Sequence, residues 1–355
     1  MNYIEIEGRF IGHGYPPFII AEMSGNHNQS LERALSIVES AANAGVHGLK
    51  IQTYDADTMT LDIDEDEFCI EDKNSLWAGS SLYKLYDQAY TPWEWHKPIF
   101  ELARQRSLLA FSTPFDKTSV DFLEDLNVPL YKIASFENTD IPLIRYVAST
   151  GKPMIISTGM ASKEELTETV DEAKAAGCKH LVLLKCTSAY PSNASQANLA
   201  TMEDMKHEFG CLVGLSDHSM GIGVAVAATA LGAVVIEKHF TLSRSDGGVD
   251  SAFSMEPLEM KMLVKECEKA GNAMGSVTYG PTENELGSLV FRRSLYIVED
   301  MKEGDCFNLK NVRAIRPGHG LPPKYLDVII GKKVNKNVKK GTALSWELLG
   351  KQQDE

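Results

Sequence analysis

Eight short apolar runs, each followed by a longer segment with helical spacing, constrain this 355-residue chain more than any other feature. They are PFIIAEM (17–23), GLKIQT (48–53), LLAFSTPF (108–115), LYKIAS (130–135), PMIISTG (153–159), HLVLLKC (180–186), LVGLSDH (212–218) and VVIEKHF (234–240). Near-continuous apolar strands that alternate with amphipathic helices indicate a parallel sheet covered by helices. Eight such units in about 250 residues predict an α/β fold, the closed (β/α)8 TIM barrel. A doubly wound sheet is the alternative, but it usually has a Gly-rich phosphate loop after its first strand. Here that strand runs into AEMSGNHN, which is no such loop.

The segment SLERALSIVESAANAG (30–45) shows the helical logic. Leu31, Ala34, Leu35, Val38, Ala41 and Ala42 share one face, Ser30 can cap the start, and Gly45 can end the helix. KTSVDFLEDLN, SKEELTETVDEAKAAG and MGIGVAVAATALG follow the same pattern. Residues 54–90 break the rhythm with an insertion too long for a plain βα connection, of a kind that is often functional. In TPWEWH, Trp93 and Trp95 read first as packing at a helix start, ahead of a sugar-stacking role. The chain divides into a barrel (1–271), a turn-rich linker (272–290) and a small, mostly β domain (291–355). That domain has strand-like pieces SLYIVED, VRAIRPG, DVIIGKKV and ALSWELL.

A formal net charge of −14 argues against a nucleic-acid partner. A local lysine cluster can still hold an anionic small molecule. Six scattered cysteines with no CxxC pair read as reduced. The segment MNYIEIEGRF lacks a signal-peptide pattern, and no stretch reaches the ~20 apolar residues of a membrane span. The expected location is cytoplasmic.

Each run turns polar at its C-terminal end, where a barrel carries its chemistry. The ends supply Glu22, Lys50, Gln52, Ser112, Thr113, Lys132, Ser135, Ser157 and Thr158, then Lys185, Thr187, Ser188 and Tyr190, then Ser216, Asp217, His218, Glu237, Lys238 and His239. His218 and His239, at one depth on neighbouring strands, suit a divalent cation with open positions. The bland reading is two hydrogen-bonded imidazoles. Lys50 and Lys132 interrupt apolar strands, where a buried ammonium needs an anion. That anion is a barrel carboxylate or a bound phosphate or carboxylate; a Schiff-base lysine is a third reading. Glu22 reads as a general acid/base or as a salt bridge to one of those lysines. His47, His96, His180 and His207 read as packed or solvated, with His27 intermediate.

In chain order, IAEMSGNHNQSLERAL, LKIQTY, FSTPFD, YKIASFE, ISTGMAS, CTSAYP, GLSDHS and EKHFTLSRSDGGVD resemble the sialic acid synthases. FRRSLYIVEDMKEGD, AIRPGHGLPP and KKGTALSWELL resemble the antifreeze-like (SAF) domain that ends those enzymes. TYDADTMTLD, LWAGSSLYKLYDQAYTPWEWH, FENTDIPLI and LKCTSAYP are similar to the pseudaminic acid branch of the family rather than the N-acetylneuraminate branch.

The resemblance implies condensation of phosphoenolpyruvate (PEP) with the open-chain aldehyde of an acetamido sugar, with release of phosphate. For this branch the sugar is 2,4-diacetamido-2,4,6-trideoxy-L-altrose. It further implies a divalent metal, typically manganese with magnesium or cobalt as alternatives, on His218 and His239, and Glu22 as the catalytic glutamate. PEP-binding positions fall on Lys50, Thr113, Lys132, Ser135, Ser157 and Ser216. Sugar-facing positions fall on Gln52, Tyr190, Asp250 and Arg316. Arg316 comes from the SAF domain of a neighbouring subunit in a domain-swapped homodimer.

Two departures stand out: Ser188 replaces the asparagine of the neuraminate branch, on the strand that carries Lys185, and Gln29 ends an NHNQ in place of NHNG. The same reaction on a neuraminate or legionaminate precursor is the nearest alternative. A metal-free Schiff-base aldolase and a non-catalytic carbohydrate- or ice-binding protein are further ones.

Overall fold

In the computed structural model, which describes residues 2–72 and 75–349, the chain folds as two units, Met1–Gly275 and Ser276–Glu355. The first opens on an antiparallel hairpin, β1 (Tyr3–Ile6) and β2 (Arg9–Gly12), with Ile4 opposite Ile11. Its two-residue turn holds Glu7 and Gly8 at φ 48° and 78°, the positive values that a tight hairpin turn needs. The hairpin lies outside the eight strand–helix units expected from the sequence.

Eight parallel strands then alternate with helices. They are β3 (Phe18–Glu22), α1 (Leu31–Ala44), β4 (Gly48–Thr53), α2 (Ala56–Met59), α3 (Leu82–Ala89), α4 (Trp93–Gln105), β5 (Leu109–Pro114), α5 (Lys117–Asp125), β6 (Tyr131–Ile133), α6 (Ile141–Ser149), β7 (Met154–Ser157), α7 (Lys163–Ala175), β8 (Leu181–Cys186), α8 (Thr201–Phe209), β9 (Leu212–Ser216), α9 (Gly223–Ala230), β10 (Val235–His239) and α10 (Pro257–Met274). The strands pair in chain order and β10 closes on β3, so the barrel is complete. All eight apolar runs contain the strands expected of them.

Local chemistry sets the element ends. The Ser30 side chain accepts from the Arg33 amide at 3.2 Å, and Gly45 ends α1 at φ 86°. The buried face of α1 is Ala34, Ile37, Val38, Ala41 and Ala44, with Leu31, Leu35 and Ala42 at its margin. Ile37 therefore leads the stripe, which is rotated from the expected one. Trp93 opens α4 and packs on Phe122 at 4.6 Å, a packing role. α10 runs to Met274, three residues into the segment read as linker.

The core has two layers. Ile19, Leu49, Ile51, Ile133, Leu183 and Ile236 pack outward against the helices. Phe18, Ile20, Phe111, Val182, Leu184 and Val235 fill the lumen, where Ile4, Ile6 and Ile11 of the hairpin join them. Full burial of each isoleucine contributes ~1.5–3 kcal/mol.

In the second unit, β11 (Ser294–Ile297) pairs antiparallel with β12 (Val312–Ile315) over a core that includes Leu295, Phe307, Ile329 and Leu344. Cys306–Lys333, Val334–Leu349, Tyr296–Ala343 and Met301–Val338 meet as single bridges. The expected strand DVII is instead a helical turn, α11 (Leu326–Ile329), that buries Ile329. Among the described residues no helix is long and apolar enough to cross a membrane.

Candidate active site

Side chains on a barrel strand alternate between the lumen and the helix layer. Carrying the phase of the lumen core to the C-terminal ends puts Glu22, Lys50, Gln52, Thr113, Lys132, Ser157, Cys186, Ser216, Glu237 and His239 inside. The loops that follow add Ser135, Tyr190, His218 and Asp250, and a cavity of about 370 Å³ forms over this layer.

The cavity floor is a cluster of buried charge. Lys50 Nζ lies 2.7 Å from Glu22 Oε2 and 4.0 Å from Glu237 Oε2, and donates to Thr113 Oγ1 at 3.1 Å. Lys132 Nζ lies 3.4 Å from Glu237 Oε1 and donates to Ser157 Oγ at 2.7 Å. Ser216 donates to Glu237 at 3.1 Å and Gln52 to Glu22 at 3.2 Å. Burial pushes the Glu22 carboxyl well above the usual range, against the pull of Lys50. Burial acts on Glu237 too, but Lys132 and Lys50 outweigh it and hold that carboxyl low. Burial also draws Lys132 below the usual ammonium range. Glu237 is thus the anion that balances the lysines, and Glu22 is the carboxyl poised to exchange a proton.

Beside the lysines stand the histidines, ring centroids 5.3 Å apart. His218 Nδ1 faces the Thr187 carbonyl at 3.0 Å. A carbonyl only accepts, so Nδ1 carries the proton and Nε2 holds the lone pair in the neutral form. Burial disfavours the charged ring, but Cys186 and the Thr187 carbonyl outweigh it and raise His218 above its ordinary range. His239 Nδ1 is buried without a hydrogen bond, with Asp250 Oδ2 3.7 Å away. Burial and the nearby cations hold His239 well below its ordinary range, in the neutral form that binds metals. The pair fits part of a coordination shell, leaving positions for water or substrate. Among the described residues no group of three or more His, Cys, Asp or Glu side chains is arranged as a closed metal site.

The outer wall of the cavity comes from the 54–90 segment: Met59, Ile70, Trp77, Leu82, Leu85 and Tyr86. Trp77 Nε1 donates to Val249 O at 2.9 Å, which ties the segment to the loop that carries Asp250. Gln29 Nε2 donates to Gln88 O at 3.1 Å and Tyr90 O at 2.7 Å, which pins the end of α3. Ser24 donates to Asp250. Tyr190 packs 4.5 Å from His218 and 6.0 Å from Trp77.

Most of the residues singled out from sequence meet here. Lys50, Lys132, Ser135, Ser157, Ser216, His218, His239, Gln52, Tyr190 and Asp250 line the cavity, while Glu22 and Thr113 lie just behind Lys50. Arg316 is in the second unit, exposed at the end of β12.

Three polar strand-end residues do not belong to the mouth. Lys238 points outward and is sealed by Asp217 Oδ2 at 2.8 Å and Ser219 O at 2.7 Å. Ser112 also faces out, donating to Ile51 O at 3.0 Å. Lys185 is out of phase as well, donating to Cys186 O at 2.9 Å. In the sequence, Glu237 has a place among the polar strand ends but no role, although it shares the phase of His239. Cys186, 3.9 Å from His218 Nδ1, went unnoticed.

Four of the other histidines have clear structural partners. His27 is buried against Trp95 and held down to about 4 by burial. His47 Nδ1 accepts from Ile19 N at 3.0 Å, His96 meets Thr53 at 2.8 Å, and His207 pairs with Glu203 on the surface.

Residues 37–279 match the model of the NeuB family, and residues 292–350 that of the SAF domain. A pseudaminic acid synthase of Campylobacter jejuni is 45% identical over 92% of this chain and 95% of its own length. An N,N'-diacetyllegionaminic acid synthase of Legionella pneumophila is 37% identical over 93% of this chain and 94% of its own. The crystal structure of an N-acetylneuraminic acid synthetase from Leptospira borgpetersenii, in complex with citrate, superposes with a TM-score of 0.72. It is 31% identical and spans 81% of this chain and 95% of that one.

Proposed function

The chain belongs to the NeuB family, and on that premise we propose that it is a pseudaminic acid synthase, a transferase that condenses PEP with 2,4-diacetamido-2,4,6-trideoxy-L-altrose. The observation that carries this is the joining, in one cavity, of two buried lysines with two neighbouring histidines, of which His239 is held neutral.

PEP brings a phosphate and a carboxylate. Lys50 and Lys132, with the hydroxyls of Thr113, Ser135, Ser157 and Ser216, supply the charge-assisted donors for both. Holding PEP C3 over the sugar carbonyl makes the bond-forming step effectively unimolecular. His218 Nε2 and His239 would hold a divalent cation, manganese being the first choice, and when bound it would supply Lewis acidity toward the aldehyde. As C3 bonds to the sugar C1, positive charge develops at C2.

Phosphate that takes up Lys50 releases the Glu22 carboxylate from its ion pair. Glu22 then offsets the charge at C2 and removes a proton from the water that adds there. The resulting C2 adduct breaks its bond to the phosphate oxygen, giving phosphate and a 2-keto acid. The proton taken from water balances the one gained by the new hydroxyl at the former sugar C1. Gln52, Tyr190 and Asp250 line the sugar side of the cavity.

The reading extends to a homodimer in which Arg316 of the partner subunit reaches the sugar, and to the cytoplasm, where PEP is made. PEP-dependent phosphate release on a panel of acetamido sugars tests it. The trideoxy-altrose should give the highest kcat/KM. A higher value with N-acetylmannosamine, or with the diacetamido sugar that leads to legionaminate, overturns the pseudaminate assignment. The legionaminate reading is kept second because of the 37% identical relative.

A further inference from the structure

The cavity has two unlike sides. Its floor is ionic, built from Lys50, Lys132 and Glu237. Its outer wall, from the 54–90 segment, is mostly apolar: the side chains of Met59, Ile70, Leu82 and Leu85 offer it no hydrogen-bonding group of consequence, the one N–H of the Trp77 side chain is committed to Val249 O at 2.9 Å, and the one hydroxyl of these six wall side chains is that of Tyr86. The segment is also braced. Trp77 fixes it to the β10 loop, and Gln29 fixes its α3 end at 2.7 Å and 3.1 Å. A braced apolar surface opposite an ionic floor can sort substrates by what they lack.

Resting on the pseudaminic acid reading, we infer that this wall selects the deoxygenated, methyl-bearing end of the sugar. The aldehyde end has to sit at the histidine pair beside the floor, because bond formation happens there. An open six-carbon chain that starts at the floor sends its far end, C6, toward the wall. A methyl group there is buried among carbon atoms. A hydroxymethyl group there loses its water and finds no partner among Met59, Ile70, Leu82 and Leu85, which is costly.

Pockets that discriminate only against an added hydroxyl do so by on the order of 10²-fold. The wall is therefore expected to favour the 6-methyl sugar by roughly 10- to 100-fold in kcat/KM.

The experiment uses the full-length enzyme and two diacetamido sugars identical except at C6, one ending in methyl and one in hydroxymethyl. Phosphate release gives kcat/KM for each. The wild type should prefer the methyl sugar by the factor above. Leu82→Asn and Ile70→Asn should each lower the ratio about tenfold, with the KM for PEP unchanged, since they add a partner for the hydroxyl. The ratio is internal to each protein, so partial loss of folded enzyme leaves it intact.

Equal use of the two sugars by the wild type overturns the inference. So does a ratio that neither variant moves. Absence of phosphate release with either sugar overturns the assigned reaction itself, and is thereby told apart from failure of the wall.

Discussion

Lys132 Nζ stands 3.4 Å from Glu237 Oε1, and both side chains are almost wholly sealed from solvent inside the barrel. Lys132→Met removes one partner of that pair and one donor to PEP. We expect PEP affinity to fall more than tenfold in calorimetric titration. Stripping a buried charge of its partner typically costs ~3–5 kcal/mol, so Tm should fall as well. Adding Glu237→Gln to Lys132→Met should restore much of the Tm but none of the PEP binding. Recovery of binding would show that Lys132 serves only to neutralise Glu237.

Glu22→Gln keeps shape and hydrogen-bonding reach but cannot take a proton. Its kcat should fall by about 10²- to 10⁴-fold, with PEP binding nearly unchanged because Lys50 and Lys132 remain. A wild-type kcat would remove Glu22 from the chemistry.

Treatment with EDTA should abolish phosphate release, and Mn²⁺ should restore it. His218→Ala and His239→Ala should each weaken Mn²⁺ binding at least tenfold, measured directly by titration without substrate. Unchanged Mn²⁺ affinity in both variants would leave the imidazoles as packing groups.

Glu137 lines the cavity with its Oε2 atom buried and unpartnered, and burial raises its carboxyl to about 7. The folded state therefore holds a proton that the unfolded chain has already released above its ordinary value of 4.5. By linkage, that makes stability fall as pH rises from 4.5 toward 7 and level off above it. Glu137→Gln should lose this part of the pH dependence. Its Tm relative to wild type should be higher at pH 8 than at pH 5, and an equal difference at both would contradict the assignment.

At Gly159 a methyl group would collide with the Ser188 hydroxyl and come within 2.7 Å of Ser135 Oγ, which the Gly159 amide itself contacts at 3.2 Å. Gly159→Ala should therefore displace Ser135 and raise the KM for PEP severalfold while Mn²⁺ binding persists. An unaltered KM would mean that Ser135 does not touch PEP.

The barrel was legible because its strands are short, apolar and bounded, and because polar residues that interrupt them, such as Lys50 and Lys132, stand out. The same strings also held more than was read from them. Alternation with period two separates Lys238 and Ser112, which point into the helix layer, from Glu237 and His239, which point into the lumen. Reading each strand end as a block blurred that phase. The hairpin left a comparable signal, Ile4 and Ile6 alternating before Glu7–Gly8.

Other features were out of reach. The bond from Trp77 to Val249 joins residues far apart in sequence, so nothing local marks the 54–90 segment as a wall of the cavity. Gln29 likewise acquires its meaning only from carbonyls at the far end of that segment. DVII carries a strand-like composition, yet it closes as a helical turn because Ile329 is needed in the small core of the second unit.

The hairpin formed by β1 and β2 has a kinetic meaning. With Ile4, Ile6 and Ile11 set into the lumen at the N-terminal end, traffic passes through the opposite doorway. On the proposed reaction, both substrates and both products would share that one doorway, a constraint set by a stopper of ten residues, Tyr3–Gly12, far from any bond that is made or broken.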